Sequence, residues 1–357
     1  MKRLIAAASC AVLFMLIVST PRQHTSADAA LQNDSALTGI TLYFSESNGE
    51  SQRVERGNGG ISRLAGLLRM AGATLNTLDW RVPFPIDMDM LVLPGAATDY
   101  SGDQIARIWA YLNNGGRVLM LINPPLPQGR ARGALASNSA LFVLTNADYG
   151  LQPYDNVMVI QGTRTGTRDG VQTEIPFLRP TFTTDTLTAE HPISAGIDGS
   201  FLFFQARSFQ LGTPDNGVLT PLIFAPEDAY GETNFAQYQQ DSTFNFDIGA
   251  DTASGRNALA VAYENDDTGA RLVLIGDREF AANGWGFNAA PPNSTGFLNI
   301  ANIQFMLQSI AWLTDTDAPE YTFPTPGATA TATITPSPLP PTPTPDPNVT
   351  STPSAGG

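Results

Sequence analysis

The chain is poor in the residues that do most covalent chemistry. Among 357 residues there is one lysine, Lys2, one cysteine, Cys10, and two histidines, His24 and His191. All but His191 fall in the first 24 residues. The rest of the chain therefore has no P-loop lysine, no Schiff-base amine, no thiol nucleophile, no disulfide and no cysteine-ligated metal. Basic charge is scarce as well, with 19 Lys and Arg against 33 Asp and Glu, a net charge of -14 and a sequence pI near 4.4. Binding to a nucleic-acid backbone needs the opposite footprint, so no nucleic-acid partner is expected. Anionic membrane surfaces should repel the chain for the same reason.

The scarce residues are gathered in a segment with its own logic. Lys2 and Arg3 precede an apolar run from Leu4 to Val18, a polar stretch follows to Ala30, and Ala27-Asp28-Ala29 has the small-x-small form of a cleavage site. Residues 1–29 read as a secretory signal peptide, with an uncleaved N-terminal anchor as the alternative, because about 15 apolar residues fall short of the roughly 20 that span a bilayer. Cys10 lies inside the run rather than after it, which does not suit lipidation. Cleavage would remove three basic residues and one acidic one and leave a net charge of -16 without lysine or cysteine. The expected location is extracytoplasmic, either secreted or associated with the cell envelope. Any membrane contact would run through the uncleaved segment or a partner.

The other end, residues 318–357, is a Pro/Thr-rich tail. From Pro319 to Gly357 it holds 11 of the 27 prolines. Repeated proline fixes φ and removes amide donors, so an extended, partly polyproline II spacer is expected. A wall-crossing or glycosylated stalk and a plain exported tail are both compatible with it.

Between these ends, residues 37–317 alternate strand and helix patterns. Gly39 to Phe44, Ala73 to Leu78, Met90 to Leu93 and Arg117 to Ile122 read as strands, and Met90 to Leu93 is short and apolar on both faces, as buried parallel strands tend to be. Ile61, Leu64, Leu67 and Leu68 recur at helical spacing before Gly72. Ser101 followed by Gln104 has the spacing of a capping box, and Ile105, Ile108, Trp109 and Leu112 form one stripe behind it. A helix is expected around Ser139 to Tyr149 and another from about Phe297 to Leu313. Residues 151–257 lose this periodicity and read as a β-rich elaboration, with strands at Val157 to Ile160, Phe201 to Phe204 and Val218 to Phe224. Ala258 to Tyr263 and Arg271 to Ile275 flank a turn, which is a hairpin pattern. The architecture expected is α/β, a mostly parallel doubly wound sheet.

Together these segments resemble a known family. Leu91-Val92-Leu93-Pro94-Gly95, Tyr111-Leu112 with Gly115-Gly116-Arg117-Val118-Leu119, and Tyr149-Gly150-Leu151 come first. His191-Pro192-Ile193 with Gly196-Ile197, then Arg271 through Phe280, and finally Asn302 to Leu313 complete the series. In order and spacing this series is similar to the GldG-like extracytoplasmic domain that accompanies ABC transport systems. The resemblance implies a flavodoxin-like or class I glutamine-amidotransferase-like sheet without a demonstrated catalytic role, and ABC transporter membrane subunits as possible partners. The chain differs from the usual architecture in having no evident C-terminal membrane helix.

Candidate sites follow from strand ends, where α/β sheets bind ligands. Glu46 and Asn48 follow the first strand, Asn123 follows the Arg117 to Ile122 strand, and Asp277 with Arg278 follows the last. These five are the candidate ligand-binding residues. The competing structural reading has Asp277 capping the next turn and Asn302 bonding the loop before the last helix. His191, the only histidine after the expected signal segment, is a general-base candidate, but His-Pro-Ile suits a turn, and no G-x-S-x-G elbow supplies a nucleophile. With no cysteine at the elbow, glutaminase chemistry is excluded. Asp241, Asp247 and Asp251, or Asp266 and Asp267, lack the register of a calcium loop, so no metal and no cofactor is implied. Trp285 and Phe287 lie in a Gly-rich loop, with Trp285 a candidate exposed contact. Three function classes remain, and the first two are a non-catalytic binding or assembly component of an envelope transport system, and a carboxylate-dependent hydrolase or sugar-active enzyme using Glu46 and Asp277 across one cleft. A cell-surface structural module is a third.

Overall fold

A computed structural model describes residues 36–125, 135–168, 171–234, 246–289 and 297–319. All of them belong to the first of the chain's two compact units, Met1–Thr322. Residues 1–35, which include the expected signal peptide, Asp241 and nearly all of the Pro/Thr-rich segment lie outside the described residues.

The apolar strands predicted from the sequence form the centre of a nine-stranded sheet. Strands β1 (Thr41–Phe44), β2 (Thr74–Thr77), β3 (Met90–Pro94), β4 (Arg117–Leu121) and β14 (Ala270–Ile275) lie in the order β2-β1-β3-β4-β14, every neighbouring pair parallel. This is the flavodoxin-like order, whose switch point lies between β1 and β3. Strand β13 (Ala258–Asn265) then pairs antiparallel with β14 as the predicted hairpin. Beyond it, β5 (Leu151–Pro153), β10 (Phe209–Leu211) and β11 (Val218–Phe224) extend the sheet, also antiparallel.

Strand alternation sorts the core into two layers. Leu42, Phe44, Met90, Val92, Leu119, Leu121, Val273 and Ile275 face one side, where helices α1 (Ser62–Met70) and α4 (Ile300–Thr314) pack. Leu91, Leu93, Val118, Met120, Leu272 and Leu274 face the other, where α2 (Gly102–Asn113) and α3 (Ala140–Tyr149) pack. Helices on both faces explain why β3, β4 and β14 are apolar on both sides, whereas β1 alternates. The capping box forms in both directions, Gln104 N–H to Ser101 Oγ and Ser101 N–H to Gln104 Oε1.

The β-rich elaboration divides three ways. Part joins the main sheet; β6 (Val157–Arg168), β7 (Val171–Arg179) and β12 (Tyr230–Glu232) form a second sheet; β8 (Thr181–Thr184) and β9 (Phe201–Phe204) form a third. Strand β6 runs well past the predicted Ile160, because its outer half is a Thr- and Gly-containing ribbon held by β7 rather than by an apolar face. The final helix begins at Ile300, later than Phe297, since Phe297 bridges to Ala289 in extended backbone.

Candidate functional site

The carboxyl ends of β1, β3, β4 and β14 open on the same edge of the sheet, and three polar networks occupy that edge. The first spans the switch point. Glu50, buried after β1, accepts from Ser45 Oγ at 2.5 Å and Tyr100 OH at 3.2 Å through Oε1, and from Asn48 N–H at 2.5 Å through Oε2. Trp80 Nε1 donates to Ser45 Oγ at 3.1 Å. Burial and the Glu50 carboxylate push the Tyr100 phenol well above its ordinary pKa. Asn48 reaches across to the loop after β3. Its carboxamide exchanges two bonds with Gln104 and donates to Asp99 O, while its main-chain oxygen accepts from Ala97 and Thr98 N–H. The loops after β1 and β3 are therefore joined by an internal carboxylate and a carboxamide pair.

The second network joins β4 to β14. Parallel register places Leu121 beside Ile275, so Asn123 lies next to the segment after β14. Asn123 Oδ1 accepts from Arg278 N–H and its Nδ2 donates to Glu279 Oε2, both at 2.6 Å. Asp277 is fully buried and caps the 3-10 turn Arg278–Ala281, accepting from Glu279 N–H at 2.7 Å through Oδ1 and from Phe204 N–H at 2.6 Å through Oδ2. Burial first, then the neighbouring Glu279 carboxylate, raises its pKa well above the carboxylate range.

Arg278 is 4% exposed. Its Nε lies 3.4 Å from Glu279 Oε1, and its Nε and Nη1 are buried without a hydrogen-bond partner. Its aliphatic stem lies against Gly95, the residue that ends β3 with φ +82°. Behind the network, the fully buried Arg207 donates to the main-chain oxygens of Tyr154, Asn123 and Leu135 and to Asp155 Oδ1. Burial lowers its pKa to about 10 against the opposing pull of Asp155. Its main chain also approaches Gly276, where a Cβ would sit 2.1 Å from Arg207 O.

The third group is peripheral. Glu46 accepts from Arg53 N–H and Thr77 Oγ1, each at 2.7 Å, beside the end of β2.

Of the five predicted residues, Asn123, Asp277 and Arg278 thus share one network, while Asn48 and Glu46 each belong to another. Asp277 offers no oxygen to a cleft shared with Glu46, since both its oxygens accept main-chain N–H groups and the residue is fully buried. Asn302 does more than bond the loop ahead of its helix. It donates to Phe280 O and also joins β9 by bonding both N–H and C=O of Leu202. Glu50 and Arg207 were not anticipated.

The remaining candidates have local roles. His191 Nδ1 accepts Ile193 N–H at 3.2 Å, closing the His-Pro-Ile turn, and its ring meets Trp312 edge-on at 5.2 Å. Burial, then Arg271, lowers its pKa to about 4. Trp285 stacks on Phe204 at 3.8 Å. Asp251 accepts from Thr233 and from Asp247 N–H, a loop-closing role. Among the described residues no cluster of three or more His, Cys, Asp or Glu forms a metal site.

Fold and site define a flavodoxin-like α/β domain whose strand-end edge is filled by polar networks. Residues 75–309 match the family described as "ABC-type uncharacterized transport system", and the chain belongs to that family of transport-system auxiliary proteins. No curated protein matches the sequence. Solved structures similar to the chain include the mmIFT52 N-terminal domain, at 14% identity and TM-score 0.49, covering 78% of this chain and 98% of that one. A ThuA-like protein from Parabacteroides merdae shares 12% identity at TM-score 0.37, over 80% and 94% of the two chains. A cytoplasmic protein from Salmonella typhimurium shares 11% at TM-score 0.38, over 76% and 98%.

Proposed function

We propose that the protein is an exported recognition or assembly component of an ABC-type envelope transport system, acting by binding rather than turnover. Family membership supplies the system, and the leader-like N-terminus supports an extracytoplasmic location. The observation that carries the recognition role is Arg278, a buried guanidinium at the ligand-binding edge of a doubly wound sheet, whose Nη1 has no hydrogen-bond partner while its Nε is ion-paired to Glu279. Asn123 and Asp277 hold the backbone on either side of it, while Asn48 and Glu46 shape the neighbouring loops.

The test is co-purification from the native envelope after photo-cross-linking, because amine-reactive reagents have only Lys2 and the N-terminal amine to attack. Recovery of ABC permease or ATPase subunits is expected. Release of the protein alone into the medium, without cross-linked partners, would overturn the assignment.

A further inference from the structure

The strand-end edge holds two buried arginines that are used differently. Arg207 commits every guanidinium nitrogen within the chain, Nε to Tyr154 O, Nη1 to Asn123 O and Leu135 O, and Nη2 to Asp155 Oδ1. Arg278 is nearly as buried, yet it has only Glu279 Oε1 at 3.4 Å from its Nε, and its Nη1 has no hydrogen-bond partner. Buried donors are almost always partnered, so this one calls for an acceptor from outside the chain.

The neighbouring oxygens are already taken. The loop between β1 and α1 passes beside the guanidinium, where a Cβ on Gly59 would lie 3.9 Å from Nη2. Its carbonyls serve other donors: Glu55 O and Gly57 O accept from Asn283 Nδ2, Asn58 O from Gly284 N–H, Gly59 O from Ser51 Oγ and Gly60 O from Asn283 N–H. Glu279 Oε2 is occupied by Asn123 Nδ2, and Asn123 Oδ1 by Arg278 N–H. Close packing of the Arg278 stem on Gly95 holds the guanidinium where it is.

The missing acceptor must be slender, because Nη1 lies beneath the surface, and planar, to match a fork of N–H donors. A carboxylate meets both requirements and is the group this guanidinium already accepts in Glu279. A phosphate dianion would bring about twice the charge beside Glu279 and be repelled more strongly. Resting on the recognition role assigned to Arg278, we propose that the ligand it reads is a small carboxylic acid, bound as the anion through Nη1.

Saturation-transfer NMR on the full chain with propionate, succinate and benzoate tests this, with propionamide, succinamide and benzamide as uncharged controls. A net charge of -14 repels anions in general, so saturable binding of an anion reports a local donor. Such binding is expected for at least one acid, without binding of its amide and without displacement by equimolar inorganic phosphate. R278K keeps the charge and a partner for Glu279 but lacks the fork, and should weaken binding at least tenfold. R81Q, at an exposed arginine paired with Asp79, should change it less than twofold. If R278K does not fold, Gly59→Val, at a position outside the left-handed region, leaves the guanidinium in place but crowds it and should give the same loss. Arg278-dependent binding of an amide and of no acid, or ready displacement by phosphate, would overturn the ligand class and leave the recognition role of Arg278 standing. Acid binding that neither R278K nor Gly59→Val weakens would overturn both. Failure of all three acids to bind would also overturn the ligand class, while the transport assignment is judged separately by the partners recovered on cross-linking.

Discussion

Arg278 lies across Gly95, so that a Cβ on this glycine would sit 2.1 Å from Arg278 Cδ. The contact joins the end of β3 to the segment after β14 and occurs where Gly95 has φ +82°. Two separable effects should therefore appear in Gly95→Ala. A left-handed non-glycine residue costs about 1–2 kcal/mol and overpacking about 1–3 kcal/mol, for a loss of about 2–5 kcal/mol. Urea unfolding measures it. The double variant G95A/R278A should recover the overpacking part only, and strict additivity of the two changes would show that the contact is not the cause.

Asp277 gives a pH dependence of defined sign. Its folded-state pKa is raised by burial and by Glu279, so the folded protein holds this proton more tightly than the unfolded chain. The protonated state's contribution is complete below the unfolded carboxyl pKa and is lost as pH rises towards the folded value. Asp277→Asn cannot ionise, but it has one acceptor oxygen for the two N–H groups of Phe204 and Glu279. The expected cost is about 1–3 kcal/mol at pH 5, from a lost buried hydrogen bond, shrinking at pH 8 where the native carboxyl is itself under strain to ionise. Unfolding curves at the two pH values check the sign; a penalty that grows with pH would contradict it.

His191 should act in the opposite direction. Its folded-state pKa is lowered to about 4, so the unfolded chain binds the proton more readily. Stability associated with the neutral ring is complete above the unfolded pKa near 6.5 and is lost as pH falls from there to about 4. The full shift corresponds to about 3–4 kcal/mol, and solvent screening near the surface reduces the expected amplitude to about 2–3 kcal/mol. His191→Asn keeps an acceptor for Ile193 N–H and removes the titration, so its stability should be flatter between pH 7 and pH 4. An unchanged slope would assign the acid sensitivity to other groups.

The parts of this molecule that were legible from sequence are those governed by near neighbours. Ser101 and Gln104 lie three positions apart and need no tertiary information to form their box. Met90 to Leu93 and Arg271 to Ile275 declare burial on both faces by composition. Asn123 and Asp277 could be placed at strand ends, since each directly follows an apolar run. Their connection could not, because it depends on β4 and β14 being parallel neighbours more than 150 residues apart in sequence. Glu50 and Arg207 were hidden for the same reason. A charged residue in a polar stretch looks solvated until the chain brings its partners, which for the Arg207 side chain lie 52 to 84 residues away.

Arg207 is also the residue whose loss should be felt most. It is fully buried, and its guanidinium satisfies three main-chain carbonyls and Asp155 from one planar group. Arg207→Met would retain much of the volume while leaving those carbonyls without donors and Asp155 without its cation. Asp155 is 42% exposed and can be resolvated, so the cost comes mainly from the carbonyls left unsatisfied, about 1–3 kcal/mol for each that stays buried. Lysine should rescue little, since a single ammonium cannot reproduce the spread of Nε, Nη1 and Nη2. Because Arg207 holds Asn123 O, and Asn123 holds the main chain of Arg278, the substitution should also loosen the strand-end network. Hydrogen exchange at Arg278 and Glu279 N–H would report that directly. Faster exchange at these amides at a denaturant concentration where β1 and β3 remain protected is the expected result; uniform acceleration across the sheet would mean that Arg207 supports only global stability.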